Sequence, residues 1–136
     1  MKCVVIESPL SGDEGKNQFY ARLCALDCLH RGEAPYASHL IFAHPDLLDD
    51  TKPEERRLGM EAGFAWGEAA DYAVVYYDLG FSNGMREGFT RAVEAKKEVV
   101  FRCLPEGLWR VFVERYTDAV RSTPPFVSGT FKMRDT

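Results

Sequence analysis

The sequence predicts an α/β domain with a flavodoxin-like or Rossmann-like open parallel sheet of four to five strands and helices on both faces. Tyr72 to Tyr77 and Lys97 to Leu104 are apolar on both alternations, which is typical of strands covered on two sides. A helical pattern from about Gly84 to Ala95 separates them, so the two strands are expected to run parallel. With 136 residues, 46% of them hydrophobic, we expect a single domain over residues 1–136.

The first half of the chain adds two strands and two helices to this pattern. Cys3 to Ile6 is a short β-branched run that predicts the first strand, and Lys16 to His30 has helical spacing. Ser38 to Ala43, with the sequence SHLIFA, predicts a second short strand. Pro53 to Ala70 predicts a long helix, because proline suits a first helical turn and the acids after it complement the dipole.

The C-terminal part, residues 104–136, predicts one more helix and a tail. Pro105 to Val120 carries its apolar residues along one side, as a helix lying on a core does. The remainder of the chain is predicted to be irregular, and its Phe126 and Phe131 suggest that it docks on the domain.

The overall charge narrows the range of partners. A net charge of −4 and a pI near 5.4 argue against nucleic acid, which requires a concentrated basic surface, and favour a small molecule. No segment has the pattern of a signal peptide or a membrane span, so we expect a cytoplasmic protein that binds no membrane. P-loop and dinucleotide-binding motifs are both missing from the sequence, and we expect no metal and no cofactor.

The loop after the third predicted strand carries the strongest binding signals. Asp78 ends that strand, where an acid can bind ribose hydroxyls or act on a reacting sugar. Ser82 or Asn83 can cap the next helix, and Gly84 leaves the free N–H groups open to an anion such as phosphate. Arg86 opposes the dipole of the same helix, which makes it a candidate phosphate ligand.

The loop after the first strand is expected to face the same crevice. In this topology the first and third strands are adjacent, and ligands bind where the strand order reverses. The candidate binding residues from this side are Ser8, Ser11, Gly12, Asn17 and, one helical turn later, Tyr20.

The long second helix contributes further candidates. Arg56 and Arg57 near its start are cations that could bind a phosphate. Gly59, Gly63 and Gly67 follow at spacings of four and share one stripe, and each costs roughly 0.5–1 kcal/mol relative to alanine. A close approach of the sheet, or of the same helix in a second subunit, is the expected reason for the stripe.

Residues Ala69 to Val99, AADYAVVYYDLGFSNGMREGFTRAVEAKKEV, resemble the signature of the nucleoside 2-deoxyribosyltransferase-like proteins. In that family an aspartate ends a hydrophobic strand and an S-x-G turn opens the following helix. The segment IESPLSG is also similar to the family's N-terminal loop. The resemblance covers about residues 3 to 104 and is strongest to small phage and bacterial members.

The resemblance implies a protein that binds a nucleotide or deoxynucleotide and cleaves or transfers its N-glycosidic bond. Asp78 matches the strand-end acid that assists departure of the base. Ser82 and Gly84 match the loop that holds a 5′-phosphate or hydroxyl, and Met85, at the end of the same DLGFSNGM turn, is a further candidate binding residue. Because neighbouring subunits complete active sites in that family, a homodimer or larger homo-oligomer is also implied.

The nucleophile is where the sequence departs from the family pattern, and three functions follow. Arg86 aligns with the nucleophilic glutamate, and Glu87 lies one residue later. In one function, Glu87 or Asp78 is the catalytic carboxylate of a glycosidase or transferase. In another, the protein binds or sequesters a nucleotide without chemistry, which Arg86 favours. The third function is that of an interaction protein whose glycine stripe forms a dimer.

Overall fold

The central sheet has five strands in the order β2-β1-β3-β4-β5, as seen in a computed structural model that describes residues 1–122 and the backbone of residues 130–131. The strands are β1 (Lys2–Glu7), β2 (Glu33–Tyr36), β3 (Tyr72–Tyr76), β4 (Val99–Arg102) and β5 (Thr130–Phe131). The helices are α1 (Glu14–His30), α2 (Ser38–Ile41), α3 (Pro53–Ala69), α4 (Asn83–Glu94) and α5 (Glu106–Arg115). The first four strands are mutually parallel, so the predicted α/β class and the adjacency of the first and third strands are confirmed.

Helices cover both faces of this sheet, and each face has its own core. Side chains of alternate residues along a strand point to opposite faces. On one face Val4, Ile6, Val74 and Tyr76 meet Tyr20, Leu23, Cys24 and Cys28 of α1 and Phe112 of α5. On the other face Val5, Ala73, Val75 and Val99 meet Met85 of α4. The two-sided burial of β3 is what its unbroken apolar run predicts.

The prediction of a strand over Ser38 to Ala43 is wrong. The second strand is Glu33–Tyr36, and the Ser38–Ile41 segment forms a short helix instead. β2 pairs with β1 alone and lies at an edge of the sheet, where Pro35 is tolerated because the outer N–H groups need no partner. The short apolar run in SHLIFA is typical of a strand, although its first four residues form α2.

The C-terminal part also differs from its prediction. The last helix ends at Arg115 rather than at Val120, and the chain then turns so that Arg121 reaches back to the loop after β3. The tail is not wholly irregular, because Thr130–Phe131 adds β5, antiparallel to β4. Phe126 lies outside the described residues. No helix within residues 1–122 and 130–131 is long and apolar enough to cross a membrane.

The glycine stripe of α3 is explained by contacts inside the chain. A Cβ on Gly63 would lie 2.9 Å from both Cβ and Oγ of Ser38, so α2 packs tightly on the helix there. A Cβ on Gly67 would lie 3.7 Å from Val5 Cγ1, and one on Gly59 would lie 3.3 Å from a Leu48 methyl group. The stripe therefore packs most tightly against α2, and the predicted approach to the sheet occurs at Gly67.

Candidate functional site

A cleft opens at the carboxyl end of β1, between α2, α3 and the N-terminus of α4. Its interior has a volume of about 70 Å³. Ser8, Ser82 and Gly84, which are predicted to share one crevice, line it together. The other polar and charged residues that line the cleft are Glu7, Ser38, His39, Asp50 and Arg56.

Glu7 lines this cleft and also a smaller cavity of about 20 Å³ beside it, which Gly88 lines as well. Alternation along β1 turns its side chain to the same side as Val5, which faces α3 and α4. A Cβ added to Gly88 would overlap the carboxyl carbon and both oxygens of Glu7, so the group lies against the backbone of α4. Although the residue as a whole is only half-buried, burial of the carboxyl raises the pKa of Glu7 to about 8. The carboxyl therefore keeps its proton at neutral pH.

His39 enters the cleft from α2 and pairs with Ser8. Its Nε2 lies 2.9 Å from Ser8 Oγ, and both residues are buried. Burial lowers the pKa of His39 to about 4, because a charged imidazolium would lose its hydration there. The imidazole is therefore uncharged at neutral pH, and the two groups share one hydrogen bond in which the serine hydroxyl can donate or accept.

Arg56 and Asp50 bring one ion pair to the cleft. Arg56 Nη1 lies 2.9 Å from Asp50 Oδ2 and donates a hydrogen bond to Ser11 Oγ at 2.5 Å. Its Nη2 lies 3.9 Å from the point where a Cβ on Gly84 would stand, so the guanidinium is beside the start of α4. A cation and a helix N-terminus, both of which attract anions, are thus close together.

A wider groove of about 570 Å³ lies outside the cleft, and Ser82 lines both spaces. Ser11 of the first loop and Asn17 of α1, both predicted to face the crevice, also line the groove. Asn17 Nδ2 donates hydrogen bonds to the carbonyl oxygens of Leu10 and Ser11, at 2.9 and 3.1 Å, and so holds the loop in shape. The other lining residues are Pro9, Asp13, Lys16, Leu79, Phe81, Asp118, Ala119 and Val120.

Asp78, the predicted strand-end acid, lies on the other side of the sheet. It is fully buried, and its Oδ2 accepts hydrogen bonds from the Tyr20 hydroxyl at 2.6 Å and the Leu104 N–H at 2.8 Å. Arg121 Nε forms an ion pair with Oδ1 at 2.9 Å, off the hydrogen-bond direction. Neither Asp78 nor Tyr20 lines the cleft or the groove, and both join α1, β3 and the C-terminal part. The catalytic role predicted for Asp78 is therefore not supported by this geometry.

Glu87, the other predicted catalytic acid, faces α3. Its carboxylate accepts a hydrogen bond from Arg57 Nη1 at 2.6 Å, and the same arginine also pairs with Glu61. Gly88 is the residue of α4 that contacts the Glu7 carboxyl, and one residue on a helix is a rotation of about 100°. Glu87 and Arg57 are thus engaged with each other on the outside of the α3 and α4 pair.

The remaining predicted binding residues surround the cleft without all reaching it. Arg86 and Asn83 are exposed on the first turn of α4. Met85 is buried, and its N–H donates to the capping hydroxyl of Ser82 at 3.2 Å. Gly12 is exposed in the first loop with a φ of +102°, a conformation that favours glycine.

Glu7 is the residue that sequence reasoning misses. A single glutamate after a strand has no pattern of its own, and its orientation depends on where the strand ends. The available signal was Gly88, a glycine inside a helix, which needs a neighbour close to its backbone to offset its cost. Within the described residues no group of three or more His, Cys, Asp or Glu side chains could hold a metal ion.

A sequence family described as Domain of unknown function (DUF7768) matches residues 2–102, which is most of the chain. The chain belongs to the DUF7768 family. The DUF7768 match begins with β1, ends at the last residue of β4, and includes every residue of the cleft. α5 and β5 follow the matched region. A search of curated proteins finds no match to this DUF7768 sequence.

Proposed function

We propose that this DUF7768 domain binds a nucleotide or deoxynucleotide in the cleft and cleaves or transfers its N-glycosidic bond, with Glu7 as the working carboxyl. The observation that carries the proposal is the position of that carboxyl, which lies against α4 at Gly88 and shares the cleft with the start of the helix. The enzymes that the sequence resembles use a glutamate carried by this helix. Here a carboxyl lies beside the same helix, supplied by β1.

The protonation state of Glu7 suits the departure of a nucleobase. Breaking an N-glycosidic bond leaves negative charge on the base, and a proton donor in the cleft stabilises that leaving group. A carboxyl whose pKa is raised to about 8 still carries its proton at neutral pH. Raised carboxyl pKa values of this kind are characteristic of the general acid in glycoside hydrolysis.

The size of the two spaces supports a ligand in two parts. The cleft interior, about 70 Å³, admits part of a small molecule, and the adjoining groove of about 570 Å³ admits the rest. Ser82 lies where the two meet, at the N-terminus of α4. A sugar in the cleft with its phosphate or base in the groove would fit this division.

Base release from a panel of deoxynucleosides and their 5′-monophosphates tests the proposal. Wild-type protein is expected to release free base, measured by liquid chromatography, and Glu7→Gln to lose the release by about 10²-fold or more. Glu94→Gln, an exposed glutamate at the end of α4, is the matched control and should keep full activity. Glu87→Gln compares the two candidate carboxyls directly. Release that survives in Glu7→Gln would remove Glu7 from the chemistry.

A second candidate function is nucleotide binding without chemistry. It is favoured by the engagement of both carboxylates that the resemblance would make catalytic: Asp78 with Arg121, and Glu87 with Arg57. Calorimetric titration with the same panel distinguishes the two functions. Binding without base release would support a protein that senses or sequesters the ligand.

We also propose that the protein forms a homo-oligomer in the cytoplasm. Leu58 and Trp66 on α3 expose 61% and 57% of their surface. Their separation of eight residues puts them on one side of the helix. The proposed cytoplasmic location is supported by the four free cysteines of the chain, because thiols stay reduced in that compartment.

A further inference from the structure

The cleft holds a second group that can move a proton, and it lies next to Glu7. We propose that His39, paired with Ser8, is the base that deprotonates the attacking water, so that the reaction in this cleft is hydrolysis with inversion at the anomeric carbon. The inference rests on the proposed function. It names a base, a nucleophile and a stereochemical outcome for that reaction.

The His39 and Ser8 pair lies in the cleft beside Glu7. His39 Nε2 lies 2.9 Å from Ser8 Oγ, and Ser8 directly follows Glu7 in the chain. All three residues line the same interior. Ser8 and His39 are both buried. The position of His39 is fixed by the packing of the preceding residue, Ser38 of α2, against Gly63 of α3. A proton acceptor and a carboxyl are thereby fixed in one small space.

The environment drives the two groups to opposite protonation states. The titratable and charged residues that line the cleft with His39 are Glu7 of β1, Asp50 of the loop before α3, and Arg56 of α3. A second cavity of about 40 Å³ on the other side of His39 adds Glu55 of α3. Of these, Asp50 and Arg56 form an ion pair with each other. Burial lowers the pKa of His39 to about 4 and raises that of Glu7 to about 8. Between these values His39 is a free base while Glu7 is a proton donor, which is the division of roles that acid–base catalysis needs.

The step balances with water as the only co-reactant. The water oxygen forms a bond to the anomeric carbon, and its proton passes to the Ser8 hydroxyl as that hydroxyl gives its own proton to His39 Nε2. The C–N bond breaks with its electron pair on the base, which takes the proton of Glu7. Proton transfer from the imidazolium through solvent then restores the carboxyl. A carboxylate nucleophile would instead form a covalent intermediate and retain the configuration.

The test uses the deoxynucleoside or 5′-monophosphate of the panel that wild-type protein cleaves fastest. His39→Gln is expected to lower kcat by about 10²- to 10⁴-fold with little change in KM, because the base acts on water rather than on the bound substrate. The fall of kcat/KM below about pH 4, where wild-type His39 becomes charged, should disappear in this variant. Ser8→Ala, which removes the relay hydroxyl, should lower kcat in the same direction. His44→Gln, at an exposed histidine outside the cleft, is the matched control.

The configuration of the first-formed sugar, followed by NMR in the first minutes, gives an independent readout. An inverted anomer supports water attack assisted by His39, and a retained anomer overturns the inference. Full kcat in His39→Gln, with its acid limb unchanged, overturns it as well while leaving base release intact. No base release by wild-type protein from any compound would overturn the proposed function and this inference together, so the two failures are distinguishable. Thermal unfolding of each variant separates loss of fold from loss of proton transfer.

Discussion

At the scale of single residues, the contact between Glu7 and Gly88 defines the candidate site. A carboxyl in a partly dry cleft is costly when ionised, and any side chain at position 88 would compete with it for the same space. The helix accepts a glycine there, although glycine weakens a helix interior. The arrangement is consistent with a site in which room for the carboxyl matters more than local helix stability.

A double-mutant cycle tests this contact. Gly88→Ala is expected to destabilise the protein by about 1–3 kcal/mol, because its Cβ overlaps the Glu7 carboxyl. In the Glu7→Ala background the same change should be neutral or stabilising by up to about 1 kcal/mol, since alanine is the better helix former. Urea unfolding measures all four proteins. Gly107→Ala on α5, where a Cβ meets nothing within 4 Å, is the control. Equal costs of Gly88→Ala in both backgrounds would contradict the contact.

The raised pKa of Glu7 predicts a dependence of stability on pH. Between the ordinary value of 4.5 and about 8 the unfolded chain ionises while the folded chain keeps its proton, so stability falls as pH rises through this window. Glu7→Gln removes the penalty. The variant should match the wild type near pH 4.5 and exceed its free energy of unfolding by between about 1 and 3 kcal/mol above pH 8. Urea unfolding at several pH values measures the difference, and a constant difference would exclude a shifted Glu7.

At the scale of elements, the ends of β1 and β3 show how alternation separates two acids on adjacent strands. Glu7 follows Val5 to the side of α3 and α4, while Asp78 bonds to Tyr20 on the side of α1. Two carboxyl groups at one edge of the sheet thus receive different environments. One opens to a cleft, and the other binds the C-terminal part to the sheet.

Replacement of Asp78 tests its structural role. Asp78→Asn is expected to destabilise the protein by roughly 3 kcal/mol, because Arg121 loses the buried partner of its ion pair. Tyr20 keeps a hydrogen-bond acceptor in this variant. Asp46→Asn, at an aspartate whose side chain is 90% exposed, is the matched control. A free energy of unfolding equal to that of the wild type would show that the Asp78 network contributes little to stability.

The sequence predicted those elements whose burial follows a simple rule. The strand β3 is predictable from sequence because both of its faces are covered, whereas β2 gives no such signal because EAPY is a polar edge strand with a proline. At the site, Ser8, Ser82 and Gly84 were correctly expected to meet, since loops after adjacent parallel strands converge. The roles of Glu7 and Asp78 could not be separated from spacing alone. Side chains alternate between the two faces of a sheet. An error of one residue in the predicted position of a strand therefore assigns its last residue to the wrong face.

At the scale of the whole molecule, the outer side of α3 predicts self-association. Leu58 and Trp66 are exposed there, while the glycine stripe of the same helix is already covered inside the chain. We expect a dimer in size-exclusion chromatography with light scattering, and a monomer for Leu58→Glu combined with Trp66→Glu, because charge in an apolar contact is costly. Val111→Glu, on α5 at the opposite face of the sheet, should leave the dimer intact. A monomeric wild type would contradict the prediction.

The Glu7 and Gly88 contact also has a consequence for how the family varied. In this structure a side chain at position 88 would occupy the space of the Glu7 carboxyl, so we expect relatives to place only one of the two there. Across an alignment of DUF7768 sequences the two positions should therefore change together: glutamate at 7 with glycine at 88, and a smaller residue at 7 wherever 88 is larger. A relative that lacks the acid at position 7 of β1 would then have room for an acid at position 88 of α4, in the same space between the strand and the helix.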